Sequence, residues 1–362
     1  MKYYFKYSLI FFSLIILFIL IALPVQLKAD NMIGHTEDNV ISVYDENGKY
    51  IFGTAMGLSI NDRYINENNI EYLILSINGK RAVAQELGKV NLLAGVKEDD
   101  LVTLTPLAAQ GTKRIGIYHT HNGESYLPGP DNISGQGEIH QIGDVLKDAL
   151  QKKGINVIQS DNLHLPHDGA AYERSRNTAA DILKQRPDAI FDVHRDAIPR
   201  KEEYVTEING KEVSQIRLVV GRQNPGNKVN DQFARRIKSI SDKQYPGLIK
   251  GIFYGRGIYN QQISPHSLLL EFGSHVTTKE QAATSAEMLA DSINQLLYGA
   301  GNQQQKGEEV ENRTIMSTIF WIVLIVFIGL LAFLFINEGS VSGVINRIKT
   351  FFGREFIDRG DQ

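Results

Sequence analysis

The sequence has no cysteine and a single tryptophan in 362 residues, and neither sign of charge dominates it. Without cysteine there is no disulfide, no thiolate-ligated zinc or iron–sulfur site and no thiol nucleophile. The 38 Lys and Arg residues are balanced by 41 Asp and Glu residues, which gives a net charge of −3. Because nucleic-acid binding depends on a basic surface that displaces counterions, we expect no nucleic-acid partner.

Several familiar catalytic motifs are also missing. The chain has no G-x-S-x-G nucleophile elbow, no H-E-x-x-H zinc motif and no Walker A phosphate loop. Gly255–Asn260 fails as a dinucleotide fingerprint because its third glycine is absent. Any catalytic site therefore has to be sought among histidines and carboxylates.

Two stretches are almost wholly apolar and contribute much of the 43% hydrophobic content. The first, Ser8–Leu23, follows Lys2 and Lys6. A positive flank before an apolar run is typical of a signal peptide or of an N-terminal membrane anchor. Residues 1–29 are predicted to be one of these two.

The second apolar stretch, Ile315–Ile336, is long enough at about 1.5 Å per residue to cross a hydrocarbon core of roughly 30 Å. Trp321 fits a membrane interface, and more Lys and Arg residues follow the stretch than precede it. This pattern predicts a transmembrane helix with a cytoplasmic tail at 337–362. The catalytic part of the chain is then extracytoplasmic, and the protein is located at the cell membrane.

The region between the apolar stretches changes character near residue 113. Residues 30–112 contain short β-like pieces separated by turn signals, which indicates a small β-rich N-terminal module and a linker. Residues 113–298 alternate between strand and helix patterns, followed by a polar linker at 299–314. The predicted strands are Ile115–Thr120, Ile155–Gln159, Ala189–Val193, Val213–Gly221 and Ser267–Phe272, and the predicted helices are Ile139–Lys153, Ala171–Gln185, Asn227–Ser241 and Lys279–Leu297. This alternation predicts an α/β fold with a mostly parallel sheet flanked by helices.

Polar residues suited to metal chemistry follow three of the predicted strands. They are His119, His121 and Glu124 after the first, Asp192, His194, Arg195 and Asp196 at the third, and Glu271 at the last. In open α/β sheets, sites form beyond the carboxyl ends of the strands. We therefore expect these side chains to converge.

Zinc in hydrolases commonly takes two histidines and one carboxylate and leaves a position for water. His121 and Glu124 form an HxxE pair, and the distant His194 completes the set. A separate carboxylate must accept the proton of the activated water, and Glu271 fits that role. HxxE alone is a weak signal, so the prediction depends on the convergence of three strand ends.

Other ligand sets remain open. His119 is two residues from His121, so the two side chains would face the same side of an extended strand. Glu138 and His140 open the first predicted helix and are alternative ligands as well. The remaining histidines, among them His167 in a polar loop, carry weaker signals.

Five segments, in this order and spacing, resemble the stage II sporulation protein P family: HTHNGESYLPG, GEIHQIGDVLKDALQKKGINV, AAYERSRNTAADIL, DVHRDA and LLLEFGSHVTTKEQA. The resemblance covers about Lys113–Leu297 well and the segment from Ile41 more loosely. Members of this family are cell-wall hydrolases of endospore-forming bacteria, distantly similar to zinc-dependent N-acetylmuramoyl-L-alanine amidases. The resemblance therefore implies a zinc amidase-like fold.

The resemblance also implies a substrate and site roles. It points to peptidoglycan, cut at the amide between muramic acid and the first alanine of the stem peptide. Three residues look like the zinc positions of the family and a fourth like its catalytic glutamate; these are His121, Glu124, His194 and Glu271. Arg195 is a candidate for neutralising a stem-peptide carboxylate, and Asp196 for accepting a hydrogen bond from an imidazole. A structural ion pair is equally available to both.

Taken together, these features predict a membrane-tethered zinc amidase that works on peptidoglycan during sporulation. The resemblance implies an N-terminal membrane segment and a partnership with a glycan-strand-cleaving protein during engulfment, whereas the second span is not an expected family feature. Two other functions stay open. One is a zinc endopeptidase that cuts stem-peptide cross-links, and the other is a non-catalytic wall-binding module.

Overall fold

A computed structural model of the chain describes residues 40–94 and 112–299, together with residues 340, 342, 343 and 345. The chain divides into two units, Met1–Tyr298 and Gly299–Gln362, and the elements below belong to the described part of the first. Across the described ranges, no helix is both long enough and apolar enough to cross a bilayer. The predicted segments 1–29 and 315–336 lie outside the described residues.

The described residues form thirteen strands and four helices, with two short 3₁₀ turns. The strands are β1 (Ile41–Asp45), β2 (Tyr50–Thr54), β3 (Arg63–Asn66), β4 (Ile70–Asn78), β5 (Arg81–Lys89), β6 (Arg114–Tyr118), β7 (Asn156–Gln159), β8 (Ala189–Asp196), β9 (Val205–Ile208), β10 (Lys211–Ser214), β11 (Ile216–Gly221), β12 (Ile249–Gly255) and β13 (Ser267–Ser274). The helices are α1 (Ile139–Gln151), α2 (Ala171–Leu183), α3 (Asn227–Gln244) and α4 (Lys279–Tyr298).

Eleven of these strands form one sheet in the order β2-β1-β5-β4-β3-β12-β11-β13-β8-β6-β7, and β9 and β10 form a separate hairpin. β7, β6, β8 and β13 are parallel to one another. β11 and β12 are parallel to each other but run against β13. The α/β class is therefore confirmed. Within residues 113–298, to which the expectation of a mostly parallel sheet applies, four of the five pairings in the main sheet are parallel. The sheet as a whole is mixed, because β1–β5 add four antiparallel pairings to it.

Hydrophobic cores cover both faces of the sheet. Successive residues of a strand point to opposite faces, so Leu270 of β13 packs in the core shared with α1, α3 and α4, whereas its neighbour Leu269 packs on the other face. Tyr172 of α2 and Phe52 of β2 belong to this second core. Each fully buried aliphatic side chain contributes about 1.5–3 kcal/mol to folding.

Helix α1 shows how the local sequence produces these layers. Ile142, Leu146 and Leu150 recur at helical spacing and are fully buried. The helix ends shortly before Gly154, whose φ of +76° is costly for any residue with a Cβ atom. The chain then turns directly into β7.

The N-terminal strands extend the same sheet and curl back over it. Following the pairing order, β2 is six strand steps from β11, which is about 29 Å in a flat sheet with strands 4.8 Å apart. The carbonyl oxygen of Gly53 on β2 nevertheless accepts a hydrogen bond from Arg217 on β11 at 2.9 Å. The edge formed by β1 and β2 therefore folds over the centre of the sheet.

Two element predictions need correction. The predicted strand Val213–Gly221 is divided at Gln215, with β10 pairing to β9 and β11 joining the main sheet. Strand β12 was not predicted, although all seven of its residues are buried. Its sequence IKGIFYG has no alternation because both of its faces are covered.

Candidate metal-dependent active site

The carboxyl ends of three neighbouring parallel strands meet at one edge of the sheet. β8 lies between β6 and β13, and all three run in the same direction. His121 and Glu124 lie in the loop that follows β6. His194 lies near the end of β8, and Glu271 is its direct neighbour in the register of β13. The topology thus places these four residues at one site.

His121, Glu124 and His194 form a compact cluster. One possible ligand atom from each lies within 4.8 Å of the other two. Glu124 Oε1 is 3.5 Å from Nδ1 of His121 and 3.4 Å from Nδ1 of His194. All three residues are at most 1% exposed. Two imidazoles and one carboxylate are the ligand types that zinc commonly takes in hydrolases, so these residues fit a zinc ion in ligand type.

Asp192 sets the orientation of the His194 ring. Its Oδ1 lies 2.9 Å from Nε2 of His194 and accepts the backbone N–H of Thr120 at 2.8 Å. Its Oδ2 accepts the hydroxyl hydrogen of Thr120 at 2.6 Å. Because Nε2 faces Asp192, Nδ1 is the nitrogen of His194 that faces Glu124. A carboxylate on the far side of an imidazole is the usual support of a metal-binding histidine.

Burial and charge shift the pKa values of the cluster in opposite directions. Burial alone would lower the pKa of His194, but the Asp192 and Glu124 carboxylates beside it raise that pKa to about 10. Burial would raise the pKa of Glu124, but His194 and His121 lower it well below its ordinary value. The metal-free cluster therefore holds a proton on His194, and a bound cation would replace it.

The loop that carries His121 and Glu124 is closed tightly against the start of α1. Gly137 donates its backbone N–H to the carbonyl oxygen of Asn122 at 2.6 Å. A Cβ atom at Gly137 would lie 2.2 Å from the carbonyl oxygen of Glu124. Only glycine fits at this position without moving the ligand loop.

Glu271 belongs to a buried ion-pair network that the sequence did not lead us to expect. Arg217 on β11 is its direct cross-strand partner, and Nε of Arg217 donates to Oε2 of Glu271 at 2.5 Å. The same guanidinium pairs with Asp196, and all three residues are fully buried. Burial raises the pKa of Glu271 to about 7, although Arg217 acts in the opposite direction. A carboxyl group with such a pKa suits proton transfer near neutral pH.

Asp196 does not take the role proposed for it as the acceptor for an imidazole. It accepts hydrogen bonds from Arg217, from the Tyr204 hydroxyl at 2.7 Å and from the backbone N–H of Ala197 at 2.8 Å. The carboxylate that contacts His194 is Asp192 instead. Arg217 did carry a signal in the sequence, since a lone charge within the apolar run IRLVV is rarely buried without a partner.

Arg195 forms a structural ion pair, which is one of the two roles open to it. Its side chain is 3% exposed and donates through Nη2 to both oxygens of Asp131, at 2.6 and 2.5 Å. Its Nε donates to the carbonyl oxygen of Ser125 at 2.9 Å. Its backbone N–H donates to Oε2 of Glu124, also at 2.9 Å. Arg195 therefore fastens the ligand loop to the end of β8.

The alternative ligands His119, Glu138 and His140 lie outside the cluster of possible ligands found among the described residues. The rings of His119 and His140 pack against each other with centroids 4.3 Å apart. Burial lowers the pKa of His119 to about 3, so its imidazole is neutral. Glu138 pairs with Lys279 at 2.9 Å. Of the two histidines left open by the sequence, His121 is the one beside Glu124.

Two further rings cover the cluster. His167 stacks on His121 with centroids 4.2 Å apart and planes inclined by 17°. Tyr172 at the start of α2 meets His121 edge-on at 5.2 Å. Burial, reinforced by the neighbouring His121, lowers the pKa of His167 to about 4. The sequence pattern gave His167 only a weak signal, because its contact with His121 arises from the tertiary fold and leaves no mark in residue spacing.

A mixed α/β domain with a buried His–Glu–His cluster beside a glutamate of raised pKa has the features of a metal-dependent hydrolase. Residues 66–294 match the family model of stage II sporulation protein P. The chain belongs to the stage II sporulation protein P family, which confirms the resemblance seen in its motifs. It is 31% identical over 217 residues to stage II sporulation protein P of Bacillus subtilis (strain 168), covering 54% of each chain. The chain thus spans about half the length of this relative.

Solved structures similar to the chain include several amidases. An N-acetylmuramyl-L-alanine amidase from Mycobacterium smegmatis is 14% identical, with a TM-score of 0.36, over 52% of this chain and 99% of that one. N-acetylmuramoyl-L-alanine amidase AmiC2 of Nostoc punctiforme is 13% identical, with a TM-score of 0.35, over 52% and 97% of the two chains. The CwlD amidase from Clostridioides difficile, solved in complex with the GerS lipoprotein, is 15% identical, with a TM-score of 0.32, over 55% and 100%.

Proposed function

We propose that the chain is a zinc-dependent peptidoglycan hydrolase that cleaves the amide between N-acetylmuramic acid and the L-alanine of the stem peptide during sporulation. The observation that carries the proposal is the cluster of His121, Glu124 and His194, whose ligand atoms lie within 4.8 Å of one another, directly beside Glu271 in the β-ladder register. Membership of the sporulation family points to the cell wall as the substrate.

In this proposal, the two imidazoles and the Glu124 carboxylate hold the zinc ion. Zinc bound there would lower the pKa of a coordinated water towards 7 and polarise the scissile carbonyl group. Glu271 accepts a proton from the attacking water and returns it to the nitrogen of the departing alanine as the carbon–nitrogen bond breaks. The products are the lactyl carboxylate of muramic acid and a stem peptide with a free amino terminus.

The surroundings of the cluster favour this chemistry. Burial of the four proposed site residues removes competing water and strengthens their electrostatic interactions. Asp192 fixes the ring of His194, and Arg195 fixes the loop that bears Glu124. His167, which stacks on His121 and lies outside the helices and strands, is a neighbour of the cluster on the loop side.

The location and the partners are part of the same proposal. The apolar stretches near the two ends of the sequence support a membrane-tethered enzyme whose catalytic domain faces the wall. The family resemblance supports a partnership with a glycan-strand-cleaving sporulation protein.

The decisive experiment is a digest of purified peptidoglycan with the full chain, analysed by mass spectrometry and accompanied by zinc analysis. We expect one zinc ion per chain and stem peptides that begin with alanine. His194→Ala should lose the zinc ion and the activity, and Glu271→Gln should keep the zinc ion and lose the activity. His266→Gln is a matched control, because His266 precedes β13, about 17 Å along the strand from Glu271.

The products also separate the remaining possibilities. If the digest contains cut cross-links but the muramoyl-peptide bonds are intact, the chain is an endopeptidase and not an amidase. Wall binding without any product would make the chain a non-catalytic wall-binding module. Zinc-loaded His194→Ala with full activity would refute the proposed ligand set.

A further inference from the structure

We infer that Arg217 is a positioning residue that holds Glu271 in its working orientation, and that the N-terminal strands in turn hold Arg217. The inference rests on the proposed function, because it assumes that Glu271 transfers the proton. The hydrogen-bond partners of Arg217 among the described residues include none of the proposed metal ligands. The inference also gives the N-terminal strands a role in catalysis.

The guanidinium of Arg217 reaches three separate parts of the chain. Its Nε donates to Oε2 of Glu271 at 2.5 Å, its Nη2 pairs with Asp196, and its Nη1 donates to the carbonyl oxygen of Gly53 at 2.9 Å. A guanidinium is planar and rigid, so three acceptors fix both its position and its rotation. The Glu271 carboxylate is then fixed through Oε2.

The reversed direction of β11 explains why an arginine can reach this site. β11 runs antiparallel to β13, so its first residues lie at the edge where the neighbouring parallel strands end. Arg217, the second residue of β11, is level with Glu271, which is level with His194 on β8. The proposed base therefore lies between a metal ligand on one side and its own support on the other.

The third anchor of Arg217 comes from the N-terminal strands. Gly53 lies on β2, which precedes the family match at residues 66–294. The backbone N–H of Gly53 donates to Oε2 of Glu203 at 3.0 Å, and Lys250 pairs with the same carboxylate at 3.3 Å. A Cβ atom at Gly53 would lie 2.9 Å from the Tyr50 hydroxyl and 3.2 Å from Cδ1 of Ile198. The carbonyl group that holds Arg217 is therefore itself held firmly.

Substitution of Arg217 by lysine tests the inference. Arg217→Lys keeps the positive charge but replaces three separate guanidinium nitrogens by one ammonium nitrogen, which cannot keep all three contacts in their present geometry. We expect kcat for wall digestion to fall by roughly 10- to 100-fold, as misplacement of a catalytic group by about 1 Å does, with KM and zinc content unchanged. Arg222→Lys is the matched control, because Arg222 also joins the β11 region to the N-terminal segment, through Asp62 at 2.9 Å, without touching Glu271.

A double-mutant cycle distinguishes positioning from a general structural role. Glu271→Asp keeps a carboxylate, and thus a measurable rate, but its shorter side chain moves away from Arg217. If Arg217 acts through Glu271, Arg217→Lys should cost at most twofold in the Glu271→Asp background. An equal loss in both backgrounds, or full activity of Arg217→Lys, would overturn the inference.

Two further measurements keep the test decisive. If Arg217→Lys fails to fold, Gly53→Ala is the second variant, because it disturbs the carbonyl group on β2 that holds Arg217. Gly53→Ala should lower kcat and retain the zinc ion. An unchanged kcat would count against the inference. A crystal structure of the variant should show the Glu271 carboxylate displaced and His121, Glu124 and His194 in place. The displacement of Glu271 in the crystal structure can be measured even if the unaltered protein cleaves no peptidoglycan. Absence of cleavage by the unaltered protein would refute the proposed function but not the positioning of Glu271 by Arg217.

Discussion

Asp192 and His194 lie on the same face of β8, and Oδ1 of Asp192 is 2.9 Å from Nε2 of His194. The same carboxylate is held by the backbone N–H and the hydroxyl group of Thr120. This arrangement turns Nδ1 of His194 towards Glu124 and increases the electron density of the ring. The zinc affinity of the cluster should therefore depend on a residue that is not itself a ligand.

Asp192→Asn removes the charge and keeps the shape of the side chain. We expect the zinc affinity to fall about 10-fold or more, as is typical when the carboxylate behind a metal-binding histidine is lost. Competition with a chromophoric chelator measures the affinity. Asp188→Asn is the control, because Asp188 accepts from the Tyr298 hydroxyl at 2.6 Å near the opposite end of β8. Equal affinities of the two variants would show that Asp192 does not support the site.

Zinc binding should depend on pH through His194. Asp192 and Glu124, acting against burial, raise the pKa of His194 to about 10, so the metal-free folded protein holds a proton there at neutral pH. The raised pKa stabilises the metal-free fold fully below the unfolded value of about 6.5, and this contribution is lost as the pH rises towards 10. Zinc must displace the proton. We therefore expect the zinc affinity to rise about 10-fold per pH unit between pH 6.5 and 9.

Calorimetry in buffers with different ionisation enthalpies should detect one proton released per zinc ion bound. In Asp192→Asn the pKa of His194 is lower, so the rise in affinity should level off at a lower pH. A pH-independent affinity in the unaltered protein would contradict the proton displacement.

Much of the fold follows from local patterns in the sequence. The helical spacing of Ile142, Leu146 and Leu150 correctly predicted α1, and similar spacing located the other three helices to within a few residues. The sequence pattern does not predict β12. A strand buried on both faces shows no alternation of apolar and polar residues, and its two glycines resemble turn signals. The return of β2 over the sheet depends on long-range packing, which no local pattern records.

The convergence of four predicted residues follows from the sequence because it depends on the ends of parallel strands. His121, Glu124, His194 and Glu271 lie together because β6, β8 and β13 are neighbours that run in one direction. Arg217 was missed because it enters from the beginning of an antiparallel strand, and the direction of β11 was not visible in the sequence. The sequence favours Asp196 as the support of an imidazole, whereas Asp192 lies beside His194, because strand register decides which carboxylate faces the ring.

Metal binding should stabilise the folded chain. The cluster is buried and its ligands come from a loop and a separate strand, so zinc should bind the folded form far better than the unfolded one. At a free zinc concentration 100 times the Kd, the gain is about 2.7 kcal/mol, which corresponds to a rise in Tm of roughly 5–10 °C for a domain of this size. Differential scanning calorimetry with and without a chelator measures the shift.

The rise in Tm on zinc binding also distinguishes Glu124 from Glu138 as the carboxylate ligand. Glu124→Gln should abolish it. Glu138→Gln should preserve it, because Glu138 pairs with Lys279 and lies outside the cluster. If Glu138→Gln loses the rise in Tm and Glu124→Gln retains it, Glu138 is the ligand and Glu124 is not.

Gly137 should be essential for the shape of the ligand loop. A Cβ atom there would lie 2.2 Å from the carbonyl oxygen of Glu124, far inside any normal contact distance, so Gly137→Ala must push the backbone of Glu124 aside. We expect a loss of roughly 1–3 kcal/mol in the free energy of unfolding, measured in urea, together with reduced zinc content. Gly129→Ala in the same loop is the matched control, since a Cβ atom there would lie 3.6 Å from the Tyr126 carbonyl oxygen, which is an ordinary contact. Equal stability and equal zinc content of the two variants would show that the loop adapts and that close backbone packing does not determine the position of Glu124.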